Sequence, residues 1–351
     1  GNRVDDLAAD PVSAFAIDVL LPILVGLLPV LGLLAGLLYL ESYKLLKLAS
    51  VVALIAAGAA VAGLCYFVNA FLLDRTGIDA TPYTRYVGPV VEEALKGLVM
   101  VALVRTHRVG FLVDAAIAGF AVGTGFAVVE NLYYHVIVPD AGLGTWIVRG
   151  FGTAIMHGGA TAIFTTMGLA LQGRRPGGSL VAFVPGLAVA TVLHSAFNHM
   201  FFSPAMSTLA VLVVVPPLLY AVFQRSEAAV GAWLGRGFDS DAEMLELVTS
   251  GQLSASPAGS YLHSLRSRFD GPVVADLLCY LRIYTELAMR AKGVLMMREN
   301  GFDAPLDEST EAKFAEMRYL EKSIGRTGLL ALQPLLHISN EDLWQLHMLG
   351  R

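Results

Sequence analysis

Six ionisable side chains stand inside stretches otherwise apolar enough for a lipid bilayer: Glu92, Glu93, Lys96, Glu130, His157 and His194. A charge at the bilayer centre costs roughly 2.5–3.5 kcal/mol on insertion scales, so such groups pair with one another and mark function. Spacing organises them. Glu92 and Lys96 are i,i+4 and Glu93 and Lys96 are i,i+3, so the lysine reaches either carboxylate on one helix face. His194 and Asn198 are also i,i+4, and Asn131 directly follows Glu130. A collection of carboxylates and imidazoles suits hydrolysis. His and Glu side chains bind a zinc ion, which acidifies water, while a further Glu takes the proton. The same layout works without metal if a desolvated Glu activates the water.

These residues need helices to hold them, and the composition supplies the helices. Of 351 residues 56% are hydrophobic and 15% charged, against about 25% charged in soluble chains. The charge is uneven, since residues 224–351 hold 30 of the 53 charged side chains. The chain is therefore predicted to divide into an apolar body, 1–223, and a polar tail, 224–351. A span takes about 20 apolar residues, and seven segments qualify: Val19–Leu40, Leu48–Leu73, Val87–Val104, Val109–Val138, Trp146–Leu171, Leu180–Phe202 and Met206–Phe223. The seventh is short and interrupted by Pro216-Pro217. The fold class expected is all-α, a polytopic bundle of about seven spans with a small helical module after it.

Lys and Arg gather in alternate connections (Lys44, Lys47; Arg105, Arg108; Arg174, Arg175; then Arg225 and Arg236), which puts those on the cytoplasmic side. The N-terminus is then outside and the tail inside the cytoplasmic membrane. Under this topology Glu93, Glu130, His157 and His194 lie roughly 9, 12, 16 and 12 Å below the outer span ends, at about 1.5 Å per residue. Agreement in depth across four helices of alternating direction points to one site in the outer half. Asp18, Asp114 and Arg149 read as span-edge residues, His135 and His199 as interfacial, and Phe126 as packing.

In the tail, Leu277, Leu278, Leu281, Tyr284, Leu287, Ala288, Ala291, Val294 and Leu295 recur at helical spacing. Ser339 followed by Asp342 reads as a capped helix start, and Gly251–Ser260 and Gly301–Pro305 as breaks. Cys65 and Cys279 are expected as free thiols. A net charge of −5 argues against a nucleic-acid partner, and Gly1–Asp10 lacks the basic start of a signal peptide.

Glu92-Glu93-Ala-Leu-Lys96 resembles the EExxK motif, and Phe126-Ala-Val-Val-Glu130 the FxxxE motif, of the PrsW family of intramembrane proteases. His157, alone in its span, and His194 with Asn198 complete the pattern across residues 87–200. The related type II CAAX prenyl endopeptidases and bacteriocin-processing proteins carry EExxxR and FxxxH, which this chain does not. The family's last motif is usually HxxxD, and Asn198 departs from it. The resemblance implies cleavage of a single-span membrane protein, such as an anti-sigma factor, in regulated proteolysis. In that reading Glu92 or Glu93 is the general base, and Glu130, His157 and His194 hold zinc or water. Lys96 keeps the Glu pair ionised, Asn198 steadies the oxyanion, and Asn131 supports the cluster from behind. Two other readings are a proton- or ion-coupled transporter and an inactive scaffold presenting the tail. No internal repeat supports the first, and the intact EExxK and FxxxE sets weigh against the second.

Overall fold

The computed structural model describes residues 19–172, 179–302, 308–336 and 340–349. Those residues form helices joined by short connections, with no strand among them. Two compact units result. One takes the chain to Leu40 together with Leu46–Ala102 and Leu112–Phe223. The other starts at Gln224 and also takes in Glu41–Leu45 and Leu103–Phe111, two connections that sequence reading leaves with the membrane body.

The first unit is a helical bundle: α1 Leu21–Leu40, α2 Leu48–Thr76, α3 Gly88–Arg105, α4 Leu112–Ile137, α5 Leu143–Gln172, α6 Leu180–His199 and the first half of α7, Pro204–Thr249. Six of these, all but α3, are long and apolar enough to cross a membrane by length and composition. The exception, α3, has 18 residues and carries Glu92, Glu93 and Lys96 in its middle. The chain is a multi-pass membrane protein. The expected interruption at Pro216-Pro217 does not occur, because both prolines lie inside the continuous α7; lipid-embedded helices tolerate proline where neighbours and local adjustment re-satisfy the freed carbonyls.

Helix α4 is the axis of this unit, with 83% of its apolar window buried against 22% for α1. Its small residues are the reason. A Cβ at Gly125 would stand 1.9 Å from the Ile55 carbonyl oxygen of α2, and one at Gly123 would stand 2.3 Å from the His157 carbonyl oxygen of α5. Between apolar helices in lipid, attraction comes from close packing, and only small residues let backbones approach this far. The same approach that packs the bundle therefore fixes the height of His157 against α4.

The second unit contains α8 Pro257–Ser264, α9 Gly271–Glu299, α10 Glu308–Leu336 (broken by a non-helical Gly325) and α11 Asn340–Leu349, with the second half of α7. The α9 stripe predicted from periodicity is buried at Leu277, Leu281, Tyr284, Leu287, Ala288, Ala291, Val294 and Leu295, whereas Leu278 faces outward. Leu320, Ile324 and Leu332 of α10 pack on this stripe. The break expected over Gly251–Ser260 is shorter than that. Ser256 Oγ accepts from the Gly259 amide at 3.1 Å and starts α8 at Pro257, a side-chain cap with proline in the first turn. The cap expected at Ser339 lies outside the described residues. Cys65 and Cys279 are free thiols.

Candidate active site

Four helices of the first unit each deliver side chains to one buried cluster. From α3, Glu93 and Lys96 are 2% and 0% exposed; from α5 and α6, His157 and His194 are 1% and 3% exposed. The α4 contribution is Glu130. Glu93 Oε1 is the centre of the hydrogen bonding. It lies 2.6 Å from Lys96 Nζ and 2.8 Å from His194 Nδ1. Lys96 Nζ also reaches His157 Nδ1 at 3.1 Å and stands 4.7 Å from the centre of the Phe126 ring. Phe126 is therefore both packing and a cation-facing wall. Glu93 Oε2 is buried without a hydrogen-bond partner.

With Lys96 donating to Nδ1, the proton of His157 falls on Nε2, which lies 2.7 Å from Glu130 Oε2. Glu130 Oε1 takes Arg149 Nη2 at 3.0 Å. Arg149 is held in turn by Asn131 Oδ1, at 2.9 Å from Nε, and by the Tyr134 ring, 3.7 Å beneath the guanidinium. Asn131 donates its amide to the Gly26 carbonyl of α1 at 2.8 Å. Sequence reading set Arg149 aside as a span-edge residue; it is the counter-ion of Glu130. Asp114, also read as an edge residue, is fully buried. Asp18 lies outside the described residues.

Glu92 faces a different set. Asn69 Nδ2 of α2 donates to its Oε1 at 3.2 Å, and the Tyr83 hydroxyl donates to Asn69 Oδ1 at 3.0 Å. Glu92 Oε2 lies 3.8 Å from His194 Nε2. Neither Asn69 nor Tyr83 carries a charge that marks it in the sequence; the available signal is that Asn69 is the lone amide in an otherwise apolar span.

Two π-helical turns precede the cluster: Tyr83–Val87 just before α3, and Val148–Thr153 in α5 ahead of His157. Such turns widen a helix and recur at functional sites. The first is tied down from α6, where Ser195 Oγ donates to the Arg85 carbonyl at 2.6 Å and Asn198 Nδ2 to the Thr84 carbonyl at 2.9 Å. Asn198, expected at the oxyanion, thus has its amide engaged by backbone, and it fastens α6 to the start of α3 beside His194. His199 bonds the Ser195 carbonyl and packs on Phe201 and Tyr86, while His135 packs on Trp146.

Among the described residues, one group of acidic and imidazole side chains has metal-ligand spacing: Glu92, His157 and His194, with one ligand atom of each within 4.8 Å of the others. Two imidazoles and a carboxylate are a donor set suited to zinc, so the residues fit such an ion. To ligate, His157 gives up one of its two present neighbours, Lys96 or Glu130. Beside the cluster, a cavity of about 450 Å³ is lined by Tyr134, Trp146, Val148, Arg149, Thr153 and Met200, among others, so Arg149 belongs to both the cavity wall and the Glu130 pair.

No curated protein and no solved structure matches the chain. A family profile does, over residues 46–222, half of the sequence and every element of the cluster. Four helices carrying EExxK, FxxxE, a lone histidine and HxxxN, converged on one buried site within that match, leave one assignment: the chain belongs to the PrsW family of intramembrane metalloproteases.

Proposed function

We propose that this chain is a zinc-dependent intramembrane endopeptidase that cuts single-span proteins of the anti-sigma-factor kind in the cytoplasmic membrane. The N-terminus lies outside, the tail lies in the cytoplasm, and the site opens toward the outer half of the bilayer. The observation that carries the reading is the convergence of Glu92, His157 and His194 at metal-ligand spacing around a buried Glu93 whose second oxygen has no partner.

Each side chain then has a task. Glu92, His157 and His194 would hold the ion, which would supply Lewis-acid polarisation and acidified water. Glu93 is the general base: it takes a proton from the water that attacks the scissile carbonyl carbon, then returns it to the amide nitrogen as the C–N bond breaks. Lys96 holds Glu93 in the carboxylate form that this step requires. Glu130, paired with Arg149, places a carboxylate oxygen 2.7 Å from His157 Nε2 and so orients the imidazole electrostatically, as the outer carboxylates of metal-bound histidines do. Asn131 fixes Arg149, and Asn198 and Ser195 fix the π turn that aims α3. The apolar cavity beside Arg149 receives the flank of the substrate segment.

The test combines metal content with cleavage. The purified chain and its His194→Ala and Glu93→Gln variants are assayed for bound zinc and for cutting a co-reconstituted single-span protein. The expected pattern is zinc and cleavage in the original, neither in His194→Ala, and zinc retained with cleavage down about 10²–10⁴-fold in Glu93→Gln, the usual worth of a positioned base. Undiminished cleavage by a zinc-free original overturns the metal assignment in favour of a glutamic mechanism. Undiminished cleavage by Glu93→Gln overturns the base.

A further inference from the structure

The second unit holds a cavity apart from the Glu/His cluster, with several charged and polar side chains among its walls. It has a volume of about 350 Å³, within the size range of small-molecule sites. Its walls come from the second half of α7 (Trp233, Arg236, Asp241), from α9 (Tyr284, Lys292) and from α11 (Asp342, Gln345). Lys292 is 2% exposed, bonds Asp241 Oδ2 at 2.5 Å and lies 4.9 Å from the centre of the Trp233 ring. Gly237 makes room for it, since a Cβ there would meet the lysine Cε at 2.6 Å.

Two buried polar atoms in these walls are unanswered. Tyr284, 4% exposed, has a hydroxyl without a hydrogen-bond partner, and Gln345, 1% exposed, has an Oε1 without one. A buried polar atom left unpaired costs about 1–3 kcal/mol, so native proteins pair such atoms with protein, water or ligand. Two of them facing one cavity beside a buried lysine make a built site. The cavity's chemistry selects the ligand. Its one buried cation is already matched to Asp241 and covered by Trp233, and Arg236 is exposed at the rim. What the interior offers a newcomer is acceptors: the Gln345 amide oxygen and the phenolic oxygen, beside the carboxylates of Asp241 and Asp342.

We propose that this cavity binds a small organic amine, its ammonium donating to Gln345 Oε1 and Tyr284 Oη, so that the tail carries a metabolite site separate from the protease cluster. The test is calorimetric titration and thermal unfolding of the purified full chain in detergent, with ethanolamine, putrescine and, as an anionic control, acetate. The expected result is saturable binding and a raised melting temperature with at least one amine and none with acetate. Tyr284→Phe and Gln345→Leu each weaken that binding about tenfold or more; in Tyr284→Phe the ligand-free melting temperature barely moves because only an unpaired hydroxyl is removed, whereas Gln345→Leu also gives up the long amide contact to Asp342 and is read by its binding alone. Three results overturn the proposal: acetate stabilises where the amines do not, no probe binds, or both variants bind amine as the original does.

Discussion

Lys96→Met is the sharpest perturbation the structure offers. The Lys96 and Glu93 side chains are 0% and 1% exposed, and at 2.6 Å theirs is the shortest ion pair of the cluster. Removing one member of a buried pair strands the other charge and costs about 3–5 kcal/mol, whereas replacing both with neutral groups of similar size is close to neutral. His194 Nδ1, still 2.8 Å from Glu93 Oε1, offsets part of the loss, so the lower end of that range applies, about 3 kcal/mol. For a unit of this size that lowers the melting temperature by roughly 6–12 °C. The double variant Lys96→Met/Glu93→Gln should regain most of that stability and remain inactive in cleavage. The assay is a double-mutant cycle on thermal unfolding in detergent, read beside a cleavage assay, with the coupling energy as its output. A single variant that melts with the original, or a double variant no more stable than the single, refutes the account of Lys96 as the counter-ion that keeps Glu93 ionised.

Two further outcomes follow from packing and from titration. Gly123→Ala would put a Cβ 2.3 Å from the His157 carbonyl oxygen and 2.7 Å from Gly158 Cα, so α4 and α5 must part, at about 1–3 kcal/mol or more; cleavage should fall with stability, whereas Gly63→Ala, with nothing within 4 Å, should change neither. Glu41, 1% exposed and accepting from the Leu45 amide at 2.7 Å, has its carboxyl pushed up to about 7 by burial. A raised carboxylate favours the folded state below its unfolded value near 4.5, and that contribution is lost as pH climbs through 7, up to about 3 kcal/mol in all. Glu41→Gln should therefore leave the melting temperature at pH 5 nearly unchanged and raise it at pH 8; equal effects at both pH values would contradict a buried, uncharged Glu41.

What the sequence discloses follows from which signals are local. The helices are legible because an apolar run of span length has one stable form in lipid, and the α9 stripe because periodicity alone places Leu281 and Leu287 on a buried face. The cluster is legible because an ionisable residue in a span is conspicuous singly, and Glu93, Lys96, His157 and His194 do meet. Partner choice is not local, and there sequence reading falls short. Arg149 sits near a span end, where a charge is unremarkable, and only the π turn Val148–Thr153 and the ring of Tyr134 swing it onto Glu130. Asn198 sits one turn from His194 and shares its face, yet the Thr84 carbonyl in the turn at Tyr83–Val87, five residues before the donorless Pro89, takes its amide.

The two π turns explain more than these two residues. An α-helix offers its side chains in a fixed angular sequence, so four helices converging on a small volume rarely all present the right atom. One inserted residue rotates everything beyond it by about 100°, and Pro89, with no N–H, leaves the Thr84 and Arg85 carbonyls each in need of a donor. At α3 that donor comes from the histidine helix itself, through Ser195 and Asn198. The fastening joins the helix of His194 to the turn that leads into the helix of Glu93, 2.8 Å from His194. On this view Asn198→Ala would act through that distance, whereas an acid at this position, as in the usual HxxxD motif, could not donate to Thr84 unless protonated. The departure from the family pattern is therefore a different way of fastening α6 to the start of α3, and it leaves the proposed roles of Glu92, Glu93, His157 and His194 untouched.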